Sequence, residues 1–383
     1  MSSRLGSVLF LVGLLAADRP LPVARAHALP RSDAPRVTTS TTSTAPTAIV
    51  TTEPPVRTAI VIVLDGVRGR EVFGGVDPAL ARAHGLPPRR VVGARTLWPS
   101  LTRMHEELGA AIGAPDLGEP MRASGPAFKS LPGYLELFRG RPAAECRSNR
   151  CRVPPAPTLL DELVHLPNAK PEDLAVFASW PHVLRAVGRN APATVSTGRH
   201  AGVRLERLER DESIRALLGE GRRAGPAPGR GDFRPDRITA ELALRYLELH
   251  RPRFLFLSLG EADAFGHAEN YSEYLRALTR SDGVVGEFVR RAERLGAEGW
   301  PTTLLVTTDH GRDARCRDHG AGFPESANTW LVAMGFGVKA RGLVASAVPR
   351  YLRDVAPTLR ALYGLAPDRG DGAGTPIVEL LGE

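Results

Sequence analysis

The chain has 383 residues, 43% hydrophobic and 24% charged, enough apolar chain to bury a sizeable core, and this excludes global disorder. Its net charge of +8 is carried almost wholly by arginine, with lysine only at Lys129, Lys170 and Lys339. The arginines are scattered, and no basic stripe interleaved with aromatics appears, so no nucleic-acid-binding surface is evident.

Arg4 precedes an apolar run over residues 5–17, too short to cross a bilayer comfortably, and Ala26-His27-Ala28 has the small-x-small form of a cleavage site. Together they predict a signal peptide over residues 1–28, export to the periplasm or exterior, and no transmembrane span in the mature chain. The Thr/Ser/Pro-rich stretch that follows lacks apolar periodicity and reads as a flexible linker over 29–55, ahead of one folded domain over 56–383.

Thr58–Leu64 is a continuous β-branched apolar run ending in Asp65-Gly66, the pattern of a buried parallel strand. Phe254–Leu259 and residues 302–308 repeat the form, and residues 329–334 suggest a fourth strand. Helical spacing over 238–250 and 271–295 alternates with these runs, and 348–362 is a further helix in which Pro357 must sit at a break or in the first turn. Residues 219–236, rich in Gly, Arg and Pro, read as a surface loop. The alternation predicts an α/β fold with a mostly parallel central sheet and helices on both faces. Cys146 and Cys151 are close enough to close a small loop in an oxidising compartment, and no second pair exists to complete a zinc site. Cys316 reads as a buried free thiol.

Ligands of open parallel sheets bind beyond the carboxyl ends of the strands. Asp65 and Asp309 stand at two such ends, and Asp263 follows a third by a few residues. Asp263 and His267 form D-x-x-x-H, Asp309-His310-Gly311 closes a strand, and His319 follows nine residues later. Three Asp and three His exceed the needs of one tetrahedral ion and suit two divalent ions a few ångströms apart. The donors suit Zn²⁺ best and are compatible with Mn²⁺ or Fe.

Ser130 opens a turn-then-helix pattern, K-S-L-P-G-Y-L-E-L-F-R-G-R, in which Pro132 fits the first turn. Such a serine is either an N-cap or a nucleophile whose pKa a bound metal would lower. Thr102, in W-P-S-L-T-R-M-H, is the second hydroxyl candidate. Residues 67–85, 143–152 and 180–202 would shape a substrate pocket, with Trp180, Arg199 and His200 as possible leaving-group contacts.

Assembled in this order, these residues resemble the alkaline phosphatase superfamily, and within it the nucleotide pyrophosphatase/phosphodiesterase and sulfatase-like branches. The resemblance extends to D-V-A-P-T at residues 354–358, with Leu362 and Gly364 beyond it. It implies one metal held by Asp263, His267 and His319, and another by Asp65, Asp309, His310 and Ser130. It further implies a phosphoseryl enzyme formed by Ser130, and a phosphate contact from Asn149. The substrate class implied is a small-molecule or headgroup phosphate ester. Tyr134 stands where the sulfatase signature has Arg, and Gly133-Tyr134 where the phosphodiesterases have Asn-His. A sulfatase-like enzyme or a phosphotransferase or mutase on the same scaffold is the alternative, and a non-catalytic binding protein the third reading.

Overall fold

The computed structural model describes residues 58–382, residue 189 apart. The expected signal peptide and the whole of the expected linker lie outside these residues. Nine strands form the main sheet: β1 (Thr58–Leu64), β2 (Gly109–Ile112), β3 (Leu174–Ala178), β4 (Thr194–Thr197), β5 (Ala201–Val203), β6 (Phe254–Leu259), β7 (Thr302–Thr307), β8 (Leu331–Gly335) and β9 (Gly342–Leu343). Their spatial order is β9-β2-β8-β7-β1-β6-β3-β4-β5. The run β7-β1-β6-β3-β4 is parallel throughout, while β8 and β5 run against it. A short pairing of Met121–Arg122 with Asn328–Thr329 and Arg350–Tyr351 lies apart from this sheet.

β1 is wholly buried because both of its faces are covered. Ile60, Ile62 and Leu64 enter one core and Ala59, Val61 and Val63 the other. On the first face pack α2 (Asp236–His250) and α4 (Tyr271–Ala297), through residues such as Leu242, Tyr246, Leu278 and Phe288. On the second face pack α1 (Ser130–Arg139) and α5 (Val355–Leu362). Between α2 and α4 lies the short α3 (Glu261–His267), directly after β6. No helix among the described residues is long and apolar enough to cross a membrane.

Three expectations need correction. The strand expected at 329–334 is β8, and it is antiparallel. The connection from β7 stays at the carboxyl edge instead of crossing the sheet on a helix, so the chain re-enters from the edge it left. Residues 219–236 are not one surface loop: a helix over Glu212–Arg223 extends into them, and Arg234 and Asp236 are buried. The last helix starts at Val355 rather than in the 340s, with Pro357 in its first turn, where no intrahelical N–H is lost. The D-x-x-P-T pattern has a local reason. Asp354 accepts from Tyr351 N and Thr375 N, and the Thr358 hydroxyl accepts from Ile377 N, so the motif ties down the C-terminal segment.

Cys146 and Cys151 form a disulfide, and Cys316 is free and buried, its thiol pushed up to about 12 by burial.

Candidate metal centre

Asp65, Asp309 and α3 are placed by the ends of three neighbouring strands. β1 lies between β7 and β6, so Asp65, Asp309 and the start of α3 emerge side by side. Asp263 and His267, four apart on α3, share a helix face. Asp236 of α2 holds the start of α3, accepting from Gly260 N at 2.8 Å and Glu261 N at 2.9 Å. The loop after β7 folds back on itself. Asp313 N donates to Asp318 O, while the Asp313 carboxylate accepts from Arg317 N and Asp318 N. That closed turn returns His319 to His310, and their rings stack with centroids 3.8 Å apart.

The structure brings together all seven side chains expected from the sequence. Asp65, Asp309 and His310 form one group whose ligand atoms lie within 4.8 Å of one another, as do Asp263, His310 and His319. His310 Nε2 is 3.5 Å from Asp65 Oδ1 and 3.5 Å from Asp309 Oδ2. His267 Nε2 is 3.0 Å from His319 Nε2 and 3.4 Å from Asp263 Oδ2. Ser130 Oγ is 3.3 Å from His310 Nε2. Ser130 is the first residue of α1, Lys129 is the N-cap, and no side chain caps the helix, so the N-cap reading of Ser130 is set aside. Asn149, in the disulfide loop, accepts from Leu131 N at 3.0 Å and so adjoins the serine.

These residues fit divalent cations. Asp65 Oδ1 and Asp309 Oδ2 are buried without a hydrogen-bond partner, an expensive arrangement unless a cation faces them. Burial, and then the neighbouring Asp309 and Asp263 charges, push the Asp65 carboxyl well above its ordinary value. Burial and Asp263 push Asp309 up to about 7. Burial lowers His310 to about 4 and, with His310 beside it, His319 to about 3, keeping both rings neutral as ligation requires. Their Nδ1 atoms face the carbonyls of Gly311 (2.8 Å) and Phe128 (3.1 Å), which leaves each Nε2 lone pair to the site.

Four participants were not read from the sequence as parts of the site. Tyr134 donates from its hydroxyl to Asp65 Oδ2 at 3.2 Å and pairs with Ser258 Oγ at 2.6 Å. The fully buried Arg312 pairs with Asp263. Asp318 forms a third ligand-competent group with His267 and His319. Lys129, beside the serine, reaches across Gly320. Their signal was proximity alone, each lying within a few residues of a motif position.

Two consequences are testable. Tyr134→Phe keeps the ring packed against Phe256 but strips the Asp65 contact. It is expected to weaken zinc binding by about 10- to 100-fold with little change in the melting temperature; unchanged affinity would remove Tyr134 from the site. At Gly133, an added Cβ would lie 2.2 Å from the Asp309 carbonyl oxygen. The glycine thus lets the serine-bearing helix touch the DHG turn. Gly133→Ala is expected to cost about 1–3 kcal/mol in a denaturant titration and to lower turnover.

Of the pocket residues, Trp180 stands with its ring 6.2 Å from that of Tyr134. Arg199 and His200 instead engage Asp232 and nearby carbonyls. Thr102 lies inside the helix Pro99–Glu106, which packs on α4 and β8.

A family model described as the metalloenzyme superfamily matches residues 234–323, which contain Asp263, His267, Asp309, His310 and His319. A 2,3-bisphosphoglycerate-independent phosphoglycerate mutase of Laribacter hongkongensis (strain HLHK9) is 30% identical over 171 residues, 43% of this chain and 32% of the mutase. The chain therefore spans about a third of that relative's length. Among solved structures, the chain is similar to wild-type alkaline phosphatase PafA, with TM-score 0.56 and 10% identity over 87% of this chain and 100% of that one. It is also similar to a protein in the alkaline phosphatase superfamily from Vibrio parahaemolyticus, with TM-score 0.55 and 13% identity over 86% and 71%. At these identities the structural likeness is one of fold.

Proposed function

We propose that this chain, a member of the alkaline phosphatase-like metalloenzyme superfamily, is an exported hydrolase of phosphoric esters that works through Ser130 and two divalent ions. The observation that carries the reading is the serine hydroxyl 3.3 Å from His310 Nε2, beside two buried carboxylate oxygens that have no partner. Asp65, Asp309, His310 and Ser130 would hold one ion, and Asp263, His267 and His319 the other, with Zn²⁺ the best match to these donors. When bound, the ions lower the serine pKa and stabilise charge on the attacking and leaving oxygens.

The protein's own contribution is positional. The first turn of α1 sets the positive end of the helix dipole beside Ser130, a favourable place for an anionic phosphoryl group. Ser130 Oγ forms a bond to phosphorus as the bond to the leaving oxygen breaks; the serine proton leaves to solvent and the departing oxygen takes one up. Water then cleaves the phosphoserine, releasing phosphate and restoring the hydroxyl. Asn149, which accepts from Leu131 N next to the serine, would contact the phosphoryl group through its amide. The Cys146–Cys151 disulfide supports export, since such bonds persist in oxidising compartments.

A second reading, phosphotransfer or mutase chemistry, is favoured by the curated relatives matched, which are phosphoglycerate mutases. A screen of aryl phosphate monoesters, diesters and sulfates, repeated after chelation, tests the proposal, with phosphoglycerate interconversion assayed in parallel. Phosphate-ester turnover that is lost on chelation and restored by zinc is expected. Preferential sulfate-ester turnover would favour the sulfatase-like alternative, interconversion without phosphate release the mutase, and no turnover of any substrate the binding protein.

A further inference from the structure

Arg312 follows the DHG turn directly, and its side chain is 0% exposed. The guanidinium pairs with Asp263 Oδ1 and donates to Arg317 O at 2.8 Å, while its Nε has no partner. Two glycines make the space it fills. A Cβ on Gly66 would lie 2.9 Å from Arg312 Nη1, and one on Gly266 would lie 2.5 Å from Arg312 Cζ. Gly66 also has φ +63, a conformation side chains rarely adopt. The backbone of two separate elements is thus shaped around this cation.

The two halves of the metal centre are therefore unequal. In the inner half, Asp65 Oδ1 and Asp309 Oδ2 are buried and unpartnered, and no guanidinium pairs with either. In the outer half, Asp263 Oδ1, which lies 3.8 Å from His319 Nε2, is already paired with a fixed positive charge. The outer ligand His267 is 44% exposed, whereas the inner ligands are buried. A divalent ion entering the outer half meets a like charge in a poorly screened place and must share the Asp263 carboxylate with it.

We infer that Arg312 is a resident cation of the outer half-site, so that the protein holds the inner ion tightly and the outer ion weakly and exchangeably. This rests on the two-ion reading of the site given above. It assigns Arg312 a positioning and electrostatic role through Asp263.

Zinc titration of metal-free, full-length protein by calorimetry, with elemental analysis after gel filtration, tests it. Wild type is expected to show two classes of site separated by about tenfold or more, with one ion per chain surviving filtration. Arg312→Gln is expected to tighten the weak class by about tenfold or more, while Arg312→Lys, which keeps the charge, retains the gap. Two equal sites in wild type, or a weak class unmoved in a folded Arg312→Gln protein, would overturn the inference and leave the metal reading standing. Should that variant fail to fold, the wild-type titration still decides. Asp263→Asn serves as a second variant and is expected to lose only the weak class; loss of the tight class in it would also overturn the inference. Absence of any zinc binding in wild type would overturn the metal reading itself.

Discussion

Ser130→Ala is expected to lower turnover of the best phosphate ester on the order of 10³-fold or more. The hydroxyl lies 3.3 Å from His310 Nε2, against the clustered candidate ligands, and the alanine variant cannot form a phosphoserine. Acid-quenched wild-type enzyme should yield a phosphorylated peptide containing residue 130, and the variant should not. The fold should persist, because Ser130 caps nothing and its hydroxyl hydrogen-bonds His310 at the site itself. The inner ion should remain bound with reduced affinity, since Asp65, Asp309 and His310 are untouched. Full activity in the folded variant would remove Ser130 from the reaction and return attention to a direct attack by water.

Asp309→Asn is expected to be more stable than wild type when metal-free and less stable than wild type when metal-loaded. The amide oxygen can keep the bonds accepted from Gly66 N (3.1 Å) and His310 N (3.0 Å). Its nitrogen replaces Oδ2, which has no partner and lies 3.5 Å from His310 Nε2. Because His310 Nδ1 faces a carbonyl, Nε2 can accept a bond from that amide. In chelator, the variant should unfold about 1–3 kcal/mol later than wild type, having lost a buried unpaired charge. In zinc at 100 times its Kd, wild type gains about 2.7 kcal/mol, which the variant, lacking that ligand, largely forgoes, and activity should be lost. Urea titrations with chelator and with zinc measure both arms. A variant less stable than wild type in chelator would show that the orphaned carboxylate is not under charge strain.

Much of the architecture was legible because buried parallel strands are written as continuous apolar runs. Thr58–Leu64 and Phe254–Leu259 could be bounded to the residue, since each is covered on both faces and ends in polar residues. The clustering of the candidate ligands was legible for a related reason. Asp65 and Asp309 stand where strands end and Asp263 on the short helix directly after one, and sequence position there translates directly into place. What escaped was set by partners distant in sequence. The direction of β8 depends on where the preceding loop spends its length, which local pattern does not encode. Arg234 and Asp236 read as loop because Gly and Pro surround them, yet Arg234 bonds Ser196 Oγ and Asp236 bonds Ser179 Oγ, burying both. Arg312 was one arginine among many, and its importance comes from two glycines that leave room for it, Gly66 and Gly266, both far from it in the chain.

The register of β1 carries a consequence for how the protein is made. Ala59 aligns with Phe254 on one side and with Thr303 on the other. Closing those pairings means bringing together segments separated by some two hundred residues, an entropic cost that falls before any reward arrives. The carboxylates proposed to bind cations sit at or just beyond the tips of these same pairings, so no early, locally folded fragment can offer the full proposed set to zinc. Metal uptake should therefore lag collapse during refolding and report the completed topology, not its beginnings.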